Sequence, residues 1–195
     1  MTSHRPIILA SASPQRKKLM KQLGIQFSVV PSRAKELKRI TTTPAALVKA
    51  NAVCKAQDVS RRHAQSIVIG ADTIVYVGHK HLIGKPRNLA EAKRNLKILL
   101  SSPSWVYTGV AVIDARSRKQ LVDYDKTKVF MLHLSEEEID RYYTRMSPFD
   151  KAGGFDIEGV GAAFIHRIEG CYSNVIGLPM AKLGQMLKKL GVPIL

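Results

Sequence analysis

The chain has 195 residues, 45% of them hydrophobic. That is enough for one domain, or for two lobes sharing one sheet, and it excludes a disordered chain. Its 31 Lys+Arg stand against 15 Asp+Glu, a net charge of +16. Such a chain attracts polyanions (nucleic acid, an anionic membrane surface or a small polyphosphate), and for most individual lysines solubility alone is sufficient reason. The excess is concentrated early, since Glu36 and Asp58 are the only acids before Asp72. No apolar run approaches the roughly 20 residues that span a membrane. The start lacks the pattern of a secretory signal. Cys54 and Cys171 have neither metal-site spacing nor a disulfide framework. A reducing cytoplasm and no membrane partner are therefore expected.

Residues 6–10 read as a short buried strand running into Ser11-Ala-Ser13-Pro14-Gln15-Arg16. Ser13 is a helix N-cap and Pro14 suits the first helical position. Leu19, Met20 and Leu23 supply the apolar face, and Gly24 ends the helix. A Ser-rich loop thus meets a helix N-terminus carrying Arg16. Free N–H groups, hydroxyls and a guanidinium are what an anion needs. The P-loop pattern is absent, and an ordinary capped helix with solvated basic residues has the same composition. Residues 26–30 predict a second strand and 32–42 a basic loop holding Glu36. Thr43-Pro44 opens a helix to about Arg62 with Leu47, Val48 and Val53 inward. Lys49 and Lys55, six apart, share no face on it.

From Ser66 to Pro86 the sequence is rich in β-branched residues, as strands are. Asp72 sits among them, flanked by apolar residues. A carboxylate there must be paired, metal-bound or facing a cleft. Gly70 marks either close backbone approach or a bulge that turns Asp72 out of the sheet. Gly78-His79-Lys80 reads as a hairpin turn, and Gly84-Lys85-Pro86 closes the next strand, placing an acid and a base near each other on one sheet. A strand-edge Asp beside a solvated Lys would give the same spacing.

Asn88 to Glu91 reads as a capping box opening a helix with Ala92, Leu96, Leu99 and Leu100 inward. Residues 105–113 and 127–134 are predicted strands, separated by a turn at 115–119 and an extended piece at 121–124. Ser135 to Glu138 is a second capping box, and its helix stops at Ser147-Pro148. The glycine-rich run 151–161 permits close approach to a ligand or serves as a connector. A strand at 162–168, a loop at 170–179 and a helix at 180–190 complete an α/β chain with a mixed sheet.

Several stretches together resemble one family, the Maf nucleoside triphosphate pyrophosphatases. Ser11-Ala-Ser13-Pro14-Gln15-Arg16 is similar to the family's opening Ser-x-Ser-Pro-Arg-Arg, and Lys55-Ala56 to its Lys-Ala. Gly70-Ala-Asp72-Thr73 and Gly84-Lys85-Pro86 resemble its central motif. Asp150 to Gly159 and Tyr172 to Pro179 resemble its C-terminal loops. The resemblance implies a single Maf-like domain over 1–195. It also implies an elongated, twisted mixed β-sheet flanked by helices, in two lobes with a cleft between, as in inosine triphosphatases. The activity implied is hydrolysis of a nucleoside triphosphate to monophosphate and pyrophosphate with a divalent cation, Mg or Mn. By position Asp72 is then the catalytic carboxylate. Ser11, Arg16, Lys55 and Lys85 hold the phosphates, and Glu36 joins Asp72 at the metal. Charge on the leaving pyrophosphate gives the cations their purpose.

Two positions depart from the pattern. The family's first Arg is Gln15, and a Gln common in the pyrimidine-specific subgroup is Glu158. Thr73 and Tyr172-Ser173-Asn174 resemble the dTTP/UTP subgroup, whereas Glu158 resembles the 7-methyl-GTP subgroup. Gln15, Thr73 and Glu158 are therefore the candidate specificity residues, with dTTP/UTP first and 7-methyl-GTP as the alternative. A reading of another class is a nucleic-acid-binding or division-regulating protein using its basic half. Against it, the chain carries no recognised nucleic-acid motif and no basic–aromatic interleaving. A homodimer stays open.

Overall fold

The computed structural model describes residues 5–38, 43–78 and 81–194. The sequence-predicted turn at His79-Lys80 lies outside them. Strand β1 (Ile7–Leu9) leads into helix α1 (Pro14–Gln22), capped by Ser13. Then come β2 (Ser28–Val29), α2 (Pro44–Ser60) with Thr43 as N-cap, β3 (Ile67–Val77), β4 (His81–Ile83) and α3 (Leu89–Ser101). β5 (Ser104–Asp114), β6 (Lys119–Met131) and α4 (Glu136–Arg145) follow. Short 3-10 turns at Ala152–Gly154 and Val160–Phe164, β7 (Ile165–Glu169), α5 (Tyr172–Ile176) and α6 (Met180–Lys189) close the chain.

The strands form one seven-stranded mixed sheet in the order β2-β1-β3-β5-β6-β7, with β4 paired to β3. β1 runs parallel to both neighbours, while β3 with β4 and β6 with β7 are antiparallel. The predicted α/β class and mixed sheet are what the chain adopts. It divides into two compact units, and the division falls within β3, β5 and β6. One unit comprises Met1–Asp72, Thr108–Asp125 and Gly177–Leu195; the other comprises Thr73–Tyr107 and Lys126–Ile176.

In the first unit Ile8, Ala10, Ala52, Ala56, Val59 and Val68 form the core between α2 and the sheet. Gly70 decides how close α2 lies. A Cβ there would stand 2.3 Å from the Ala52 carbonyl oxygen and 2.8 Å from the Ala56 nitrogen. Close approach is thus the reason for Gly70, and the alternative of a bulge is corrected: β3 runs unbroken through Asp72. In the second unit Val75, Leu96, Leu99, Val129, Ile139 and Tyr142 build a separate core under α3 and α4.

Four further expectations are adjusted, the first being that the predicted loop 170–179 holds the short helix α5. The pieces at 121–124 and 127–134 are one strand, β6, which starts directly after Arg118 with its left-handed φ of 58° and ends at Met131. The capping box of α4 is complete, but that of α3 is half made. Asn88 accepts from the Glu91 N–H, while the Glu91 carboxylate accepts from Arg87 N–H instead. The last strand begins three residues later than predicted, since Val160–Phe164 coils into a 3-10 turn.

Candidate active site

β1 ends in the Ser11 loop, and the Ser13 hydroxyl caps α1 by accepting from the Arg16 N–H. That cap fixes the first turn and with it the start of the Arg16 side chain. The guanidinium donates to the Ser11 hydroxyl at 3.3 Å through Nη1 and to the Gly177 carbonyl at 2.8 Å through Nε. Burial pulls its pKa below the ordinary value, while Asp72 and then Glu36 act in the opposite direction. Ser11 is buried, and Gln15 is half-buried beside it, its amide oxygen accepting from the Ser13 hydroxyl.

Helix α2 presents Asn51 and Lys55, one turn apart, to Asp72 of β3. Both are buried, as is Asp72, which is 6% exposed. The Lys55 ammonium lies 2.7 Å from Asp72 Oδ1 and 2.8 Å from Glu36 Oε1. Asn51 Nδ2 donates to Asp72 Oδ2 at 2.9 Å and to the Leu37 carbonyl at 3.0 Å, and its Oδ1 accepts from the Leu37 N–H at 2.8 Å. One asparagine therefore ties the loop carrying Glu36 to the carboxylate on β3. Lys35, Glu36 and Lys38 of that loop, with Ala46, Leu47 and Ala50 of α2, line an open pocket of about 560 Å³.

The structure thus gathers Ser11, Gln15, Arg16, Glu36, Lys55 and Asp72 in the first unit. Thr73, Lys85 and Glu158 belong to the second. Thr73 is half-buried and follows Asp72 on β3, so its side chain leaves the opposite face of the strand. Lys85 is exposed in the segment after β4, where the Gly84 carbonyl accepts from Gly153 N–H at 3.0 Å. Glu158 is exposed on the glycine-rich run. Two glycines of that run, Gly159 and Gly161, serve Asp156, while Gly153 and Gly154 pack against Phe155 and Pro86. The Asp156 carboxylate accepts from Tyr142 Oη at 2.8 Å and from Gly161 N–H at 2.9 Å. A Cβ at Gly161 would sit 2.0 Å from the Asp156 carbonyl oxygen. Burial beside it pushes the Tyr142 phenol far above its ordinary pKa. Close approach is real here, and its partner is the chain's own aspartate.

The family model for Maf-like protein matches residues 6–190. The chain belongs to the Maf family. It is 44% identical over 191 residues to a dTTP/UTP pyrophosphatase of Pelotomaculum thermopropionicum, covering 98% of this chain and 100% of that protein. A dTTP/UTP pyrophosphatase of Alkaliphilus oremlandii is 44% identical over 185 residues, 94% of this chain and 95% of that one. The solved structure of a HAM1 protein from Coxiella burnetii is 15% identical, with a TM-score of 0.45 over 65% of this chain and 72% of that one. No helix among the described residues is long and apolar enough to cross a membrane.

Asn51 is the residue of this Maf chain that sequence reasoning missed. Its signal was available: a polar residue four before Lys55 on an otherwise apolar helix face. Replacing it with Ala removes both bonds to Leu37. A buried hydrogen bond is worth about 1 kcal/mol, so exchange of the Leu37 amide should quicken by roughly fivefold or more. Hydrogen exchange followed by NMR measures this directly, and an unchanged Leu37 rate would show that the loop is held by other contacts.

Proposed function

We propose that this chain hydrolyses nucleoside triphosphates between the α and β phosphorus atoms, with dTTP and UTP preferred. It does so as a single Maf-like domain over 1–195 and acts on free nucleotides in the cytoplasm. The observation that carries this is Asp72, a carboxylate held in mid-strand by one partner on each oxygen. It lies in a chain whose 44%-identical relatives, matched over nearly their whole length, are named dTTP/UTP pyrophosphatases.

A carboxylate offers about four lone-pair sites. Lys55 and Asn51 use one on each oxygen, which fixes the plane of the group and leaves a site on each. Asp72 takes a proton from the attacking water through such a site. The water oxygen bonds to the α phosphorus, the bridge to the β phosphate breaks, and pyrophosphate leaves with the electron pair. Ser11, Arg16, Lys55 and Lys85 hold the phosphates and offset the charge that grows on the leaving group. Arg16 suits this because burial strengthens each bond it makes and its fork is already aimed by Ser11 and Gly177.

Asp72 and Glu36 both close on one ammonium. Each carboxylate has lone pairs beyond those turned to Lys55. Hard oxygen donors of this kind are what Mg²⁺ or Mn²⁺ takes, so Asp72 and Glu36 would hold a divalent ion through those lone pairs. Such an ion, when bound, supplies further neutralisation of phosphate charge. Pyrophosphate release from a panel of nucleotides with Mg²⁺ tests the proposal. dTTP and UTP are expected to lead, and release from no triphosphate would overturn it.

Gln15, Thr73 and Glu158 are assigned to the base. Uracil and thymine offer an N3–H donor beside the O4 acceptor, which a Gln amide answers with one group each. The Glu158 carboxylate only accepts, and guanine offers it two N–H donors side by side. This residue favours 7-methyl-GTP as the second reading. Glu158→Gln should raise the UTP to 7-methyl-GTP ratio of kcat/KM by about tenfold or more, the worth of a charged hydrogen bond. An unchanged ratio would move base reading to Gln15.

A further inference from the structure

We propose that the outward face of the sheet in the second unit, across β5, β6 and β7, binds single-stranded nucleic acid. Along the chain, rings and cations are not interleaved; across the three strands they are. On β6, Thr127 and Val129 are wholly buried, so alternation turns Lys126, Lys128 and Phe130 to the other face. On β5, Ser104 and Val106 are buried, which turns Trp105 outward. On β7, Arg167 is the cross-strand partner of Phe130.

The contacts form a row. The Lys126 ammonium lies 5.1 Å from the Trp105 ring centre. The Lys128 ammonium lies 5.6 Å from Trp105 and 5.0 Å from Phe130, and the Arg167 guanidinium carbon lies 3.9 Å from Phe130. Lys126 and Arg167 are exposed, while Trp105, Lys128 and Phe130 are half-buried. Glu169, cross-strand from Lys128, pairs with Arg167.

This is the chemistry of a stacking platform with a backbone track. Rings accept bases on their faces. A lysine is a compact charge on a flexible stem, so it can swing from a ring to a phosphate and uncover the ring. Successive outward residues advance about 6.8 Å along the strand, giving a line of contacts instead of a point. A flat line of cations suits a polymer, whereas a small polyphosphate needs convergent groups. Paired bases hide their faces, so a single strand is favoured over a duplex. The chain's net charge of +16 supplies the long-range attraction. None of these residues belongs to the set assigned to triphosphate hydrolysis, so the two activities fail or stand separately.

Trp105 is the only tryptophan in the chain, and its fluorescence therefore reports this face alone. Titration with a 20-nucleotide oligo-dT at about 50 mM salt should quench Trp105, and a duplex of equal length should bind more weakly. Lys126→Ala with Lys128→Ala should weaken binding at least about tenfold and reduce the log–log salt slope by about 1.4, near 0.7 for each phosphate contact. Phe130→Ala should cost about tenfold through lost stacking. Circular-dichroism melting of each variant checks folding, and the lysine pair decides if Phe130→Ala melts early. Absence of quenching, unchanged affinity in the lysine pair, or full displacement of the oligonucleotide by dTTP would overturn the proposal. So would sedimentation showing a wild-type dimer that the lysine pair dissolves, since the face would then join two copies of the chain.

Discussion

Asp72→Asn should lower pyrophosphate release by about 10²–10⁴-fold, the usual worth of a positioned acid–base group, while the protein stays folded. Asparagine keeps the volume of aspartate and an oxygen toward Lys55, but its NH₂ then meets the Asn51 Nδ2 donor, so one buried hydrogen bond, worth about 1 kcal/mol, is lost. Lys55 also keeps Glu36, whose carboxylate lies 2.8 Å away and is half exposed, so no charge is stranded. The variant should therefore melt within a few degrees of the parent while its turnover collapses. Steady-state pyrophosphate release with Mg²⁺, beside a melting curve, separates the two effects. Near-parental turnover would remove Asp72 from the chemistry, whatever the melting curve showed.

Lys55→Met should do the reverse, harming stability as well as activity. Lys55 and Asp72 are both about nine-tenths buried, and their charges meet at 2.7 Å. Removing one partner of a buried pair leaves the other uncompensated and costs about 3–5 kcal/mol. Here the cost is aggravated, because Glu36 and Asp72 then face each other without the ammonium between them. For a chain of this size each kcal/mol moves Tm by about 2–4 °C, so a fall of roughly 6–20 °C is expected. Adding Asp72→Asn to Lys55→Met should restore much of that loss, since the stranded charge is gone, but none of the activity. A thermal-melt double-mutant cycle checks this. Additive stability effects would mean that the two residues do not depend on each other.

Much was legible in the sequence because it rests on local rules. Ser13-Pro14 and Thr43-Pro44 place helix starts through capping and the fixed φ of proline, and both helices begin there. β-branched density marks β3, and the lone acid within it marks Asp72. The motif set also marks the family, to which the chain belongs. Each of those signals is a short run of neighbouring residues, so no partner across the fold is needed to read it.

What the tertiary structure alone decided depends on which surfaces meet. Gly70 has two local explanations, a bulge or a close approach, and only the carbonyl of Ala52 beneath it selects the second. Lys55 carries no local sign that it lies between Glu36 and Asp72, because those carboxylates arrive from a loop and a strand. Asn51 shows in the sequence only as a polar residue one turn before Lys55, and its partners Leu37 and Asp72 are chosen when α2 packs. The row from Trp105 to Arg167 draws on three strands, and a scan along the chain meets each residue alone. Sequence determines which side chains can pair, whereas the register of strands and the depth of helix packing determine which of them do.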